Sequence, residues 1–310
     1  MDPPQDSEAR SPRPRALIVT IYGLYARETD GWLSVASLIR LMADLGTDEP
    51  AVRSSISRLK RRGILEARRV GGVAGYELSA SGRQTLAAGD ERIFERPRAR
   101  LTDGWLLAVF SVPESERRQR HALRSRLTWL GFGTVSAGVW IAPGYLADET
   151  SDVLRRSGLA DYVALFRADY LAFADLASQV GRWWDLDRLQ RMYQEFCRAY
   201  APLLKRWYGD GDGDGDGSGS GGAGAGGGGA GAGGGGSDGE AFAAYAKALT
   251  DWRRLPFLDP GLPQELLPAE WQGSYAAGLF TGLASRLDEP ARRHVLAVTS
   301  EPWQQARPRP

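Results

Sequence analysis

Val52, Ile56 and Leu59 recur at i, i+4 and i+7 within AVRSSISRLKRRGIL, residues 51–65, and leave few folds open to the segment that carries them. The spacing predicts a helix with one apolar stripe. Thr47 or Asp48 supplies an N-cap, Pro50 suits the first turn, and Gly63 ends the helix. Arg53, Ser54, Ser57, Arg58 and Arg61 fall on the opposite and flanking faces, with Lys60 and Arg62 beside them. A docked helix with a basic, serine-bearing outer face meets the requirements of major-groove reading. Arginine forks onto guanine, serine reaches base or phosphate, and the remaining cations neutralise phosphates. The same pattern also describes a basic face that merely meets solvent.

The flanking residues favour DNA. Ile64–Val70 reads as a strand, Gly71–Gly75 as a turn, Tyr76–Leu78 as a second strand, and Ser79–Gly82 leads into a short helix. Upstream, Leu17, Ile18, Ile21, Leu24 and Tyr25 form one helical stripe. Val35, Leu38, Ile39, Met42 and Leu45 form a second, capped by Ser34, with Gly46 in the turn that follows. Helices followed by a strand, a glycine turn and a strand make a winged helix-turn-helix. From Arg53 to Arg69 there are seven basic residues and one acidic, so charge is focused on the recognition helix and wing. Arg53, Ser54, Ser57, Arg58 and Arg61 are the expected base-reading set. Lys60 and Arg62 are expected at phosphates or in solvent, and Arg68 and Arg69 flank the wing. The wing tip has no basic residue, which weakens any expectation that it enters a minor groove.

The whole-chain balance hides this focus. Net charge is +1, but residues 1–100 carry 17 Lys and Arg against 13 Asp and Glu, and the remainder 22 against 25. A basic reading end and a mildly acidic body suit a regulator. At 310 residues with 43% hydrophobic content, the chain can build two or three cores. A single cysteine, Cys197, excludes an internal disulfide framework and multi-cysteine metal sites, and its helical context predicts a buried structural thiol. No apolar core marks a signal peptide, and no segment reaches the ~20 apolar residues of a membrane span. The expectation is a cytoplasmic protein.

A charged, proline-broken stretch near residues 92–100 reads as a linker. Beyond it, Trp105–Val112 suits a buried strand. A helix bearing Leu123, Leu127 and Leu130 follows, then strands at Gly131–Val135 and Gly138–Ala142, a helix around 147–157, and a strand at Tyr162–Phe166. That β-α-β-β-α-β order is ferredoxin-like.

The chain resembles the PaaX family of transcriptional regulators. The resemblance runs through AVRSSISRLKRRGIL, WLLAVFSVPESERRQRHALRSRLTWLGFG, GVWIAPG and FLDPGLPQELLPAEWQG, in that order, over roughly residues 15–208 and 240–297. It implies an α+β protein in three parts: a winged helix at 15–92, a ferredoxin-like domain at 101–170 similar to the small Cas protein of CRISPR spacer acquisition, and a helical C-terminal domain at 171–298. Residues 1–14 and 299–310 are expected to be tails. The resemblance further implies repression of aromatic catabolism genes, typically for phenylacetate, with release by an acyl-CoA such as phenylacetyl-CoA; the alternative is a regulator with a different effector or an activating role. The expected partners are double-stranded operator DNA, an acyl-CoA effector and a second copy of the chain. No membrane, cofactor, metal or catalytic residue is expected.

Several residues carry a second meaning. The Cas relatives place a metal-binding aspartate at the end of the first strand, and by the resemblance Ser111 stands there, a poor magnesium ligand. Asp103 precedes the strand and does not repair the pattern, so a nuclease is disfavoured. His121 and His294 stand far apart, without a nucleophile or zinc spacing around them. Phe173, Leu176, Val180, Trp183, Trp184, Leu186, Leu189, Met192, Tyr193, Phe196, Tyr200 and Leu204 mark one long amphipathic helix or two joined ones. Trp183 and Trp184 suit core packing, or else the wall of an aryl-acyl pocket, with Arg182 or Arg188 at coenzyme A phosphates. Residues 209–239 are an Asp-Gly then Gly/Ala/Ser run, expected to be a flexible insertion. Its Asp-Gly repeat does not make a calcium loop, because the twelfth position is Gly221 where an EF-hand needs glutamate.

Overall fold

The computed structural model describes residues 13–29, 31–95, 98–171, 173–208 and 236–300. Along the chain the elements are α1 (Pro14–Leu24), β1 (Trp32–Ser34), α2 (Val35–Asp44), α3 (Glu49–Arg61), β2 (Leu65–Val70), β3 (Val73–Leu78) and α4 (Ala80–Asp90). Then come β4 (Trp105–Phe110), α5 (Arg117–Trp129), β5 (Gly133–Ser136), β6 (Val139–Pro143), α6 (Ala147–Arg156) and β7 (Val163–Ala168). Helices complete the chain: α7 (Leu176–Trp183), α8 (Leu186–Tyr208), α9 (Asp238–Trp252), α10 (Leu255–Leu258) and α11 (Gly273–Ser300). Helix and strand are both present, with the strands of the described residues confined to 32–168, consistent with an α+β protein. Among the described residues, no helix is long and apolar enough to cross a membrane.

The chain divides into two compact units. The first comprises the described parts of Met1–Leu86, Cys197–Asp251 and Ala277–Pro310; the second is Ala87–Phe196 with Trp252–Ala276. The division falls inside α4, α8 and α11 and before the last residue of α9. Residues 171–298, expected as one C-terminal domain, are indeed mostly helical but are shared between the two units.

In the first unit, the apolar stripes of three helices meet. Leu17, Ile18 and Ile21 of α1, Leu38, Leu41 and Met42 of α2, and Val52, Ile56 and Leu59 of α3 are all buried. Ser34 caps α2 by accepting the Ser37 amide at 2.9 Å. β1, β3 and β2 form an antiparallel sheet in that order. The turn between β2 and β3 is only Gly71-Gly72, not the expected 71–75. Both glycines take positive φ, 57° and 83°, as a type I′ hairpin turn requires, and Val73–Gly75 are thereby freed to pair as strand.

Phe242, Tyr245 and Leu249 of α9 and Leu283 and Leu287 of α11 are buried as well. Tyr25 meets Phe242 at a ring separation of 5.9 Å, and His294 Nε2 lies 2.8 Å from an Asp44 carboxylate oxygen. The Arg40 guanidinium donates to the Val298 carbonyl at 2.7 Å. α11 runs on through Pro290 to Ser300, because Ala291 and Val295 extend the buried stripe.

In the second unit, all four strands are antiparallel in the order β5-β6-β4-β7, with one helix between β4 and β5 and another between β6 and β7. This is the β-α-β-β-α-β order read from the sequence. Leu123 and Leu127 of α5 and Leu154 of α6 pack onto Leu106, Ala108, Phe110, Trp140 and Ala142 of the sheet.

Three expectations about tails and linkers need correction. Pro14 is not tail: it opens α1, its fixed φ suiting a first turn. Asp238 and Gly239 are not insertion. They lie in α9, which starts with a capping box in which Ser237 and Glu240 each accept the other's backbone N–H, at 3.2 and 2.8 Å. In the stretch near 92–100 read as a linker, the described residues Arg92 and Ala99 are packed. Arg92 is buried, donating to the Trp129 and Leu130 carbonyls at the end of α5 and lying over the Trp129 and Phe257 rings. Ala99 donates its amide to the Gly261 carbonyl at 2.7 Å. The remaining expectations for the tails, at 1–12 and 301–310, and for the insertion, at 209–235, lie outside the described residues.

Candidate nucleic-acid interface

α3 presents the site because its other side is committed to the core. Val52, Ser55, Ile56 and Leu59 face inward. Its N-cap is Asp48, which accepts the Ala51 amide at 2.8 Å, and Gly63 leaves the helix at a φ of 67°. Every position that the sequence singles out on the helix is exposed: Arg53, Ser54, Ser57, Arg58, Lys60, Arg61 and Arg62. Arg68 and Arg69 are exposed too, on β2.

Several of these cations are held loosely. Arg53 pairs with Glu49 one turn back, at 2.6 Å, with both side chains at least half exposed. Arg58 donates to the Ser54 hydroxyl at 3.1 Å, one turn earlier. Arg68 pairs with Glu77 at 2.6 Å, and Arg69 donates to the Gly72 carbonyl at 3.0 Å. The Lys60 ammonium stands 5.7 Å from the centre of the Tyr76 ring. An exposed ion pair contributes about 0–1 kcal/mol, so an anion arriving at Arg53 displaces Glu49 at small cost. The surface is therefore pre-oriented but not neutralised.

Glu49 and Glu77 were not anticipated as partners. The i,i+4 spacing of Glu49 and Arg53 was a readable signal. Glu77 was not readable, because its approach to Arg68 depends on a register in which Glu66 faces Glu77 and Arg68 lies two positions along.

The residues offered for other chemistry take structural places. Trp184 is buried and donates from its indole N–H to the Gly131 carbonyl at 2.9 Å. Trp183 and Trp184 both lie against Trp105 of β4, so packing accounts for them. Arg182 and Arg188 are exposed. Burial pushes the Cys197 thiol up from its ordinary value, leaving it a poor nucleophile. Ser111 is exposed just past β4, and Asp103 is engaged in accepting the Arg100 amide at 2.8 Å. Among the described residues, no group of three His, Cys, Asp or Glu side chains is arranged to hold a metal.

Residues 13–82 match the family described as PaaX-like protein, residues 98–180 the PaaX protein central Cas2-like domain, and residues 234–297 the PaaX-like protein C-terminal domain. The transcriptional repressor PaaX of Escherichia coli strain K12 is 27% identical over 292 residues, an alignment spanning 92% of this chain and 83% of that protein. Among solved structures, the uncharacterized protein Rv0674 from Mycobacterium tuberculosis superposes with a TM-score of 0.52 at 25% identity, covering 90% of this chain and 98% of that one.

Proposed function

The chain belongs to the PaaX family of transcriptional regulators, and on that premise we propose that it is a repressor that binds operator DNA through a winged helix-turn-helix and leaves it when an aryl-acyl-CoA binds. One observation carries the DNA reading: the buried stripe of α3 turns Arg53, Ser54, Ser57, Arg58 and Arg61 together toward solvent. α3 is the recognition helix. Lys60 and Arg62 meet phosphates, and the β2–β3 hairpin is the wing, with Arg68 and Arg69 along its first strand. The protein works in the cytoplasm as a homodimer, so that two copies of α3 read a palindromic operator in successive major-groove turns.

The regulated genes belong to aromatic acid catabolism of the phenylacetate type, and the effector is phenylacetyl-CoA or a close thioester. The family membership supports this part of the reading. The protein is a regulator rather than an enzyme, in keeping with the repressor it resembles. The central Cas2-like fold then serves as scaffold, since Ser111 lacks the anionic oxygen that a magnesium nuclease needs.

Fluorescence anisotropy of the full chain on its own upstream DNA, across salt and with phenylacetyl-CoA or free coenzyme A, tests this. Sequence-selective binding released by the thioester alone is the expected result. Selective binding indifferent to the thioester overturns the effector and keeps the DNA reading. Binding that is weak, erased by salt and blind to sequence overturns the recognition helix.

A further inference from the structure

α5 reverses a charge rule that its neighbour obeys. α6 carries Asp148 and Glu149 in its first turn and Arg155 and Arg156 in its last, the arrangement that the helix dipole favours. α5 packs on the same face of the same sheet, yet its 13 residues hold five arginines, a histidine and no acid. Arg117, Arg118 and Arg120 fall in its first turn, where a cation opposes the dipole. Arg120 and Arg124, at i and i+4, also repel each other. The helix holds because Leu123 and Leu127 are buried against the sheet, so folding gives no reason for its charges. Nor is the surrounding chain basic. Residues 101–310 carry 22 Lys and Arg against 25 Asp and Glu, and α5 alone supplies five of those 22.

The core contacts decide which cations face out. With Leu123 and Leu127 turned inward, Arg117, Arg118, His121, Arg124 and Ser125 are exposed. Arg120 is turned back: it donates to the Val112 carbonyl at 2.7 Å and pairs with Glu114 at 2.8 Å. Arg124 has one long contact, donating to the Ala137 carbonyl at 3.2 Å in the turn between β5 and β6. Arg117 and Arg124 stand two turns apart, ~10 Å along the axis.

We propose that this outward face of α5 binds the phosphate backbone of duplex DNA, so that the second unit takes part in binding besides serving as scaffold. The proposal rests on the DNA reading above and adds to it contacts that position a duplex without reading its sequence. A convex helix face two turns long suits an extended polyanion, whereas a small anionic ligand is held in a concave pocket. A lipid surface does not suit it, because a helix lying on a membrane needs its apolar side free, and Leu123 and Leu127 are committed to the sheet.

The test is the salt dependence of anisotropy for the full chain on its upstream DNA and on an unrelated duplex, comparing wild type with R117Q/R118Q/R124Q and R117K/R118K/R124K. Each phosphate contact contributes about 0.9 to the slope of log K against log salt, so the Gln variant is expected to lose about 2.7 on both duplexes. Its thermal midpoint is expected to equal or exceed that of wild type, because cations that oppose the dipole are gone. The Lys variant is expected to keep the slope, since a phosphate accepts either cation. An unchanged slope in the Gln variant overturns the proposal. A loss confined to the upstream DNA overturns it by making the contact base-specific, and a loss in the Lys variant overturns it in favour of a structural role. An unchanged slope with a raised phenylacetyl-CoA requirement for release would assign the face to the effector instead. Failure of wild type to select its upstream DNA is a different result and brings down the DNA reading itself.

Discussion

The hydroxyls of Thr20 on α1 and Thr250 on α9 lie 2.7 Å apart in the buried core of the first unit, 230 residues apart in sequence. Thr250 donates to the Ala246 carbonyl one turn back, also at 2.7 Å, which leaves Thr20 to donate to Thr250. Replacing Thr250 with valine keeps the shape and orphans the Thr20 donor, at a cost of about 1–3 kcal/mol. T20V/T250V is expected to cost less than the sum of its parts, because both partners leave together. Chemical denaturation of the three variants checks this, and additive losses would mean the two hydroxyls do not act as a pair.

Arg58 separates specificity from mere attraction. If its guanidinium forks onto a guanine, Arg58→Ala costs ~1–3 kcal/mol on the operator and relaxes base choice at one position. Competition anisotropy with single-base operator variants reads both effects. Equal weakening on every sequence would move Arg58 to the phosphate set.

The β2–β3 turn is expected to be intolerant of side chains. Gly71 and Gly72 both sit in the left-handed region, although a Cβ at either would meet open space. The penalty is therefore conformational, ~1–2 kcal/mol for each alanine. G71A and G72A should lower the thermal midpoint and leave β2 and β3 in register. Asn at either position should recover part of the loss, since its side chain tolerates positive φ. A loss from Asn as large as from Ala would point to something other than φ.

Removal of residues 210–234 is expected to leave the thermal transition intact. The flanks already meet: Arg206 pairs with Glu240 at 3.0 Å, and Gly236 lies against the Trp207 ring. The Ser237–Glu240 capping box starts α9 from residues that the deletion keeps. Loss of cooperativity in the shortened chain would assign the glycine run a structural part.

Acid should loosen the start of α9. The Ser237 amide and then Arg206 hold the Glu240 carboxyl below its ordinary value, and Arg293 does the same for Asp238. Both pKa values fall on folding. Their contribution is therefore complete above the unfolded carboxylate range of about 4 and lost as pH falls through the lower native values. Amide exchange at Ala241–Tyr245 should rise over that window in wild type and be raised already at neutral pH in E240Q. A flat profile in wild type would show that the cap is not linked to these protons.

The local plan of the first unit was legible because its signals are local. Apolar spacing set the inward faces of α1, α2 and α3. Ser34, Asp48 and Gly63 marked helix ends, and Gly71-Gly72 marked a hairpin. The basic face of α3 followed from the same periodicity, since a helix that buries Val52, Ile56 and Leu59 has no other way to turn Arg53, Ser57 and Arg61. The error at residues 73–75 came from reading Gly75 as turn. It is a strand residue pressed so closely on Trp32 and the Leu33 carbonyl that a Cβ would collide.

What the sequence determined by itself was the inward face of α1, α2 and α3 and the strand-helix order of the second unit. The tertiary structure decided which partner each face meets. Nothing near Thr20, Asp44 or Arg92 announces Thr250, His294 or the end of α5, because an apolar stripe or a lone polar group specifies burial without specifying an address. The C-terminal residues 238–251 and 277–300 enter the same unit as α1–α3 through such distant contacts. Periodicity is a property of a few turns of chain, whereas these contacts form only when separate helices pack.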